Sequence, residues 1–533
     1  MARRLLRTRR APLAVAFGLA LGGGLALGWP EHEAARASPP QPAPAPSPAP
    51  SPAPSPAPSP SAASGADPLP ADAPLDAQID ALIAEAEAEF LGDARLGISI
   101  VDLETGAVLY ERAADTVLNP ASNAKLLTTA AALAHLGPEH RYSTRVYVDE
   151  DQLDAGVVKG KLYLRGGGDP SLVTGEIYEL AGQLEAAGIT KIRGPIVVDA
   201  SRFDHDGLPP GFDQKDEFAS HRAPGGAMSV NYNTYEVFAR PAEVLGEAPV
   251  LSVLPAIPGI VLKSEATTVE GSRNKLWVST QDKGDKTIVT FHGEVGIDNG
   301  RSSYRYPVSD PSRYAGELLG LALRQRGIKL VKTRVERGEV PSGAKLMASF
   351  RSETLSELCR AVNKWSNNFM AEQILRTLAP GEGATAEAAL EQLRAYTREI
   401  GMPQENLVIG NGSGLYANNL ISPRALTHLL GHVYGDFRYR SDYLASLAIM
   451  GSDGTTRSRL HESEARGWIR VKTGTLDDVS ALSGYAGASG RDPIVFSILL
   501  NDLERKHRAK ARALQDAIAE LLAIEAARPV GRD

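Results

Sequence analysis

Cysteine is almost absent from this 533-residue chain: Cys359 stands alone. A lone thiol excludes an intramolecular disulfide, and its place in the apolar pattern Leu355, Leu358, Val362 marks it as a buried structural side chain. Histidine is scarce too, ten in all. No group of His, Cys and carboxylates has the spacing of a metal site, so neither a metal nor an organic cofactor is expected. There is no excess of positive charge. The formal net charge is −7, and setting aside residues 1–37, with their six Arg and two Glu, takes it to −11. A mildly acidic chain is not a nucleic-acid binder by charge. Beyond Trp29 no apolar stretch is long enough to cross a bilayer, which confines any membrane contact to the N-terminal segment.

What that segment holds is an address. Arg3, Arg4, Arg7, Arg9 and Arg10 form a basic start, and Ala11 to Trp29 is an uncharged Ala/Leu/Gly run of 19 residues. Ala35-Arg36-Ala37 then offers small residues for a signal peptidase to cut before Ser38. Residues 1–37 therefore read as a signal peptide and the protein as exported, to the periplasm. The alternative is an uncleaved anchor, since 19 uncharged residues can just span a bilayer. No cysteine follows the run to carry a lipid. Residues 38–72 are rich in Pro, Ala and Ser, which cannot build a core and give an extended spacer of roughly 3.1 Å per residue. The remaining length exceeds one ordinary domain and suggests two or three.

Ordered texture starts near Asp76. Ile79, Leu82, Ile83 and Ala86 form one stripe of a helix to Phe90. Leu96 to Val101 and Ala107 to Tyr110 flank a Gly-containing turn as a hairpin. A helix running to Leu136 comes next, stopped by Gly137-Pro138. From Arg141 the texture changes to short strands (142–148, 157–164, 196–199) around a helix at 177–187. Residues 235 to about 300 are almost purely strand and turn. A helix at 311–327 and a strand at 329–335 follow. The helical texture then returns with the capping box Thr354-Leu355-Ser356-Glu357. Trp468–Lys472, Ala481–Ala486 and Ile494–Leu500 are strong strands, and an amphipathic helix at 506–527 closes the chain. The expected fold class is α+β: one antiparallel sheet built from both ends (73–140 and 345–527) and flanked by helices, with residues 141–344 inserted as an α/β unit around an inner β-rich one.

Three short motifs carry the chemistry. Ser122 and Lys125 lie three apart at the start of an uncharged helix, so both side chains leave one face of its first turn. There the helix dipole favours negative charge on Ser122, and a desolvated Lys125 could take its proton. The pattern alone is weak. A capping serine beside a surface lysine has the same spelling, and Ser272…Lys275 and Ser342…Lys345 repeat it in polar turns. Ser366-Asn367-Asn368 places a hydroxyl and an amide where polar residues interrupt a helical pattern. Lys472-Thr473-Gly474-Thr475 ends a strand with a cation, hydroxyls and a glycine that permits close approach. In this order and context the set matches penicillin-binding proteins and β-lactamases.

With Pro120-Ala121 before Ser122, Gly166-Gly167-Gly168-Asp169-Pro170 and Gly412-Ser413-Gly414-Leu415, the chain from about 75 to 525 resembles the D-alanyl-D-alanine carboxypeptidase/endopeptidases, the class C low-molecular-mass penicillin-binding proteins. The 244 residues between Ser122 and Ser366 match the large insertion of that family, which a stand-alone β-lactamase lacks. The resemblance implies acyl transfer on peptidoglycan stem peptides and acylation by β-lactam antibiotics. It implies Ser122 as nucleophile, Lys125 as base and Ser366, near Lys125, as proton relay. Asn368 would hold the peptide amide, Lys472 supply positive potential, Thr473 bind the terminal carboxylate, and the N–H groups of Ser122 and Thr475 form the oxyanion hole beside Gly474. Asp216 resembles an insertion-domain carboxylate that the family uses for the amino group of the diamino acid; a surface carboxylate reads equally well.

The pattern is not perfect. Asn411 and Tyr416-Ala417 stand where the family has Asp and Ser-Arg, and Ser-Asn-Asn where Ser-Asp-Asn is common, which bears on substrate preference and loop geometry rather than on proton transfer. Two other functions fit the same fold: a non-catalytic wall-binding scaffold, and a β-lactamase with fast deacylation.

Overall fold

The computed structural model describes residues 73–214, 219–416 and 419–528. The expected signal peptide and Pro-rich spacer lie outside them, apart from the spacer's boundary with Ala73. Among the described residues no helix is long and apolar enough to cross a membrane.

The fold is α+β, as the texture predicts, and its centre is a six-stranded antiparallel sheet drawn from both ends of the described chain. Strand Arg95–Asp102 pairs along its whole length with Ile494–Asn501, and the hairpin strand Val108–Arg112 closes one edge. Beyond Ile494–Asn501 come Ser480–Ala486, Ile469–Thr475 and the short Ala448–Ile449. The two central strands are buried at every position because apolar side chains alternate between two covered faces. Leu482, Phe496 and Ile498 meet Ile79, Ile83, Ile518 and Leu522 from helices Leu75–Ala86 and Arg508–Ala527. Ala481, Tyr485, Val495 and Leu499 meet the helical layer of Leu126, Leu127, Leu426 and Leu430. Each fully buried Leu, Ile or Phe contributes roughly 1.5–3 kcal/mol relative to exposure, so this double-faced packing holds the sheet rigid.

The inserted part has its own core, with Val146, Leu164, Ile177, Leu319 and Phe291 in one cluster. Helices Thr174–Ala186 and Pro311–Gln325 contribute Ile177, Leu180, Leu318 and Leu319 to it. A five-stranded sheet (335–337, 196–199, 162–165, 143–148, 345–351) supplies strands to the same core. Two three-stranded sheets and a two-stranded one hold the β-rich segment. One of them includes Ser302–Pro307, so that segment runs past 300.

Three local expectations are corrected. Strand Lys345–Arg351, assigned by sequence to the returning core, pairs antiparallel with Ser143–Val148 in the inserted sheet. Just after this strand Ser352 accepts from Tyr142 N through Oγ (2.9 Å) and donates its own N–H to Tyr142 O (3.0 Å). Entry and exit of the insertion are thus fastened side by side. Residues 157–164 and 329–335 each read as one strand but break into two, whose halves join different sheets. An apolar run carries no mark of where it changes partner.

Candidate active site

The Ser122 turn is held from below. Asn119 N–H donates to Asn501 Oδ1 (2.7 Å) and Asn501 Nδ2 donates to Asn119 O (3.0 Å), bolting the segment to the end of the central strand Ile494–Asn501. Asn119 Oδ1 in turn accepts from Ala121 N (2.9 Å). Ala121 sits at φ +46°, a left-handed conformation that costs a non-glycine residue and persists only when its surroundings impose it. Ser122 follows in a 3-10 turn, Ala121–Asn123, that leads into helix Ala124–Leu136.

Lys125 is wholly buried. Its Nζ lies 3.0 Å from Ser122 Oγ, 2.7 Å from Asn368 Oδ1 and 2.5 Å from Ser413 O. Burial pulls its ammonium down to about 7, against an opposing pull from the Glu372 carboxylate. At neutral pH a large share of this amine is unprotonated and able to accept the Ser122 proton.

The second motif exists because one helix ends and another begins inside it. Helix Leu355–Trp365 stops at Ser366, left-handed at φ +58°, and Asn367 caps helix Asn368–Thr377 by accepting from Met370 N (3.1 Å). Ser366 thereby turns toward the sheet and Asn368 toward the Ser122 helix. The expectation puts Ser366 near Lys125; the hydrogen bond that Ser366 makes is to a different lysine, itself close to Lys125. Ser366 Oγ accepts from Lys472 Nζ (3.0 Å), and it is Asn368 that meets Lys125. Lys472 is also fully buried, and desolvation, with the nearby Lys125, holds its ammonium well below the usual lysine range. Its Nζ also donates to Thr473 O (2.7 Å).

Strand Ile469–Thr475 runs beside the Ser122 turn. A Cβ on Gly474 would stand 2.6 Å from Pro120 O and 3.1 Å from Ala121 Cβ, so glycine is needed for the approach of strand and turn, a different reason from the substrate approach expected of it. Thr475 is exposed at the end of that strand. Gly414 presses from the other side. It has φ +76°, and a Cβ there would lie 1.8 Å from Ala121 O.

Several residues here escaped the sequence reading. Glu372, buried one helical turn after Asn368, accepts from Gly412 N (3.2 Å) and Ser413 N (2.7 Å), fixing the loop whose Ser413 carbonyl meets Lys125. Burial raises its carboxyl above the usual range. The available signal was a carboxylate at i+4 from Asn368 within the apolar set Met370, Ala371, Ile374 and Leu375. Asn411, noted as a departure, braces the same loop through Oδ1, which accepts from Gly414 N (2.8 Å) and Asn419 Nδ2 (2.9 Å). Thr455 is the third: its Oγ1 is 2.7 Å from Thr473 Oγ1.

The competing serines stand apart. Ser272 and Lys275 are exposed, as are Ser342 and Lys345, whose Nζ pairs with Glu150 instead (3.0 Å). Asp216 and Ala417 lie outside the described residues. The insertion does reach the site's edge. Gln373 Nε2 donates to Gly226 O (2.8 Å), Arg376 Nη1 to Asp206 O (2.9 Å), and the Tyr232 ring packs edge-on against Phe369 at 6.0 Å.

A serine in contact with a buried lysine, and a second serine–lysine pair whose Lys472 lies near Lys125, make this an acyl-transfer serine enzyme on the penicillin-binding fold. The chain belongs to the D-Ala-D-Ala carboxypeptidase 3 (S13) family, whose model matches residues 75–524. It is thus a serine-type peptidase. It is 33% identical over 447 residues to a D-alanyl-D-alanine carboxypeptidase of Actinomadura sp. (strain R39), covering 80% of this chain and 81% of that one. It is 24% identical over 425 residues to the D-alanyl-D-alanine carboxypeptidase DacB of Haemophilus influenzae (78% and 88% covered). The crystal structure of penicillin binding protein 4 (dacB) from Haemophilus influenzae shares the fold, with a TM-score of 0.71 at 20% identity over 83% of this chain and 98% of that chain.

Proposed function

We propose that the protein cleaves D-alanyl-D-alanine ends and D-alanyl cross-links of peptidoglycan stem peptides through an ester on Ser122, and that penicillin acylates the same oxygen. The observation that carries this reading is the contact between Ser122 Oγ and the buried Lys125 amine. Lys125 takes the Ser122 proton as Oγ bonds to the carbonyl carbon of the penultimate D-alanine. The oxyanion that forms is held by the N–H groups of Ser122 and Thr475. The proton taken by Lys125 is passed by way of Lys472 and its partner Ser366 to the leaving amine as the C–N bond breaks. Water then hydrolyses the ester by the reverse sequence. Asn368 spends its Oδ1 on Lys125, which leaves its Nδ2 to donate to the peptide carbonyl. Thr473 receives the terminal carboxylate, and Asp216 is the carboxylate for the distal amino group. No metal or organic cofactor enters these steps.

Residues 1–37 export the chain to the periplasm, and 38–72 are a linker. The segment 142–352 is a nested module with its own core, fastened at Tyr142 and Ser352. A chain that joins Arg141 to Glu353 by a short linker should still fold and still be labelled by penicillin; failure to fold after linker optimisation would count against the nested arrangement.

Incubation with muropeptide monomers and cross-linked dimers, with product analysis, tests the peptidase reading. Product from either supports it, and no product from both sinks it. A penicilloyl adduct that turns over rapidly would indicate a β-lactamase, and no adduct at all a scaffold.

A further inference from the structure

Thr455 sits beside the proposed carboxylate seat and has no place in the steps above. Its Oγ1 is 2.7 Å from Thr473 Oγ1, and Thr455 is exposed while Thr473 is half-buried, so the pair lies where solvent reaches it. Its position is strongly fixed for an exposed threonine. The 3-10 turn Gly454–Thr456 is anchored by Asp453, whose Oδ1 accepts from Ile449 N (2.7 Å) and whose Oδ2 pairs with Lys364 Nζ (2.5 Å). Gly454 is left-handed at φ +56°, and a Cβ there would stand 2.6 Å from Lys364 O. The turn therefore grips the last turn of the helix that ends in Ser366. Thr456 Oγ1 donates to Asp453 O (3.3 Å) and so does not compete for Thr473.

Each hydroxyl carries one proton and can accept two. When Thr455 donates to Thr473, the Thr473 proton is freed to point outward; when Thr473 donates to Thr455, the outward proton belongs to Thr455. An arriving carboxylate has two oxygens, and a pair of hydroxyls this close can open to donate one proton to each. We propose that Thr455 is a specificity-determining residue that completes, with Thr473, a two-hydroxyl seat for the α-carboxylate of the leaving D-amino acid. This rests on the reading of Thr473 given above. The preference for substrates with a free carboxylate then belongs to the pair of threonines. The loop 449–456 becomes a specificity element although it contributes nothing to proton transfer.

The test uses two acyl-D-alanyl thioesters whose leaving groups are thioglycolate and its methyl ester, alike except for the carboxylate. The readout is the ratio of their kcat/KM values, which cancels any general loss of activity. Wild type should prefer the carboxylate. Thr455→Val and Thr455→Ala should each lower that ratio about tenfold, the scale of one hydrogen bond to a charged group, and Thr455→Ser should restore it. An unchanged ratio in the Val and Ala variants overturns the proposal, whether or not overall activity falls. If Thr473→Val loses the preference while the Thr455 variants keep it, Thr455 is excluded and the Thr473 reading stands. A wild-type ratio near one overturns both.

Discussion

Three stretches of this chain spell Ser-x-x-Lys, and only one is built for chemistry. Lys125 is sealed inside the protein, touching Ser122, Asn368 and a carbonyl, and burial brings its ammonium to about 7. Lys275 and Lys345 are exposed, Lys275 in a polar stretch and Lys345 at the start of a strand where it pairs with Glu150. The difference does not lie in the four letters. It lies in the helix start bolted to the sheet through Asn119 and Asn501, and in the loop 411–414 that closes over the amine. A lysine in water stays protonated at neutral pH; one stripped of water gives up its proton far more readily.

The sharpest way to break this contrast is Ser122→Ala. It should abolish penicillin labelling and peptide cleavage together, while Ser272→Ala and Ser342→Ala leave both nearly unchanged. Mass spectrometry of a labelled digest decides it, and an adduct on Ser272 or Ser342 with Ser122 unmodified would overturn the mechanism.

The next test acts on the amine's charge. The rate of acylation should fall about tenfold per pH unit below 7, because a protonated Lys125 cannot take the Ser122 proton. Glu372 raises the Lys125 value, so Glu372→Gln should move this acid limb toward lower pH. The same substitution offers one acceptor where the carboxylate gave two, loosening Gly412 and Ser413 by about 1.5–3 kcal/mol for a lost charge-assisted bond. A lower rate with an unmoved limb would mean that Glu372 only braces the loop.

A smaller effect is expected at the seam between strand and turn. Gly474→Ala would force a Cβ to within 2.6 Å of Pro120 O, and overpacking of this kind costs about 1–3 kcal/mol. The melting temperature should drop and acylation slow, because Ser122 lies two residues from the displaced carbonyl. Full activity in this variant would show that the seam yields freely.

How much of this could be read from the letters divides along a physical line. The helix holding Lys125, the hairpin, the terminal strands and the helix start at Thr354 follow from local periodicity and turn chemistry, and those elements formed within a few residues of where the sequence put them, although the box at Thr354 is only half made, with the Glu357 carboxylate turned to Arg360. The motifs were visible because each needs particular residues at short spacing. Contacts across the fold were not legible. That Ser366 meets Lys472 while Asn368 meets Lys125 depends on the hand of the turn at Ser366. That Lys345–Arg351 joins the inserted sheet depends on a partner some 200 residues away. Thr455 looks like any surface hydroxyl until its loop is in place, and Glu372 shows only as a carboxylate among apolar helix residues.

The contrast between the buried and exposed lysines also has a consequence for stability. In the unfolded chain Lys125 titrates near 10.4, and in the folded chain at about 7. Between those values the unfolded chain binds more protons than the folded one, so folding grows more favourable as pH rises through this window; at and below pH 7 the cost of burying the amine is greatest. Lys125→Met fills a similar volume with no charge. It should nearly abolish acylation yet raise the melting temperature at pH 7 by a few degrees, after allowance for the lost bonds to Asn368 and Ser413 O. The gain over wild type should shrink steadily as pH is raised toward 10. Lys345→Met, which removes only an exposed pair, should show no such trend, since surface pairs contribute about 0–1 kcal/mol. Thermal melts of both variants from pH 6.5 to 10 measure it. A Lys125→Met variant less stable than wild type throughout, or a difference that does not move with pH, would show that the buried amine is not carried at the folded protein's expense.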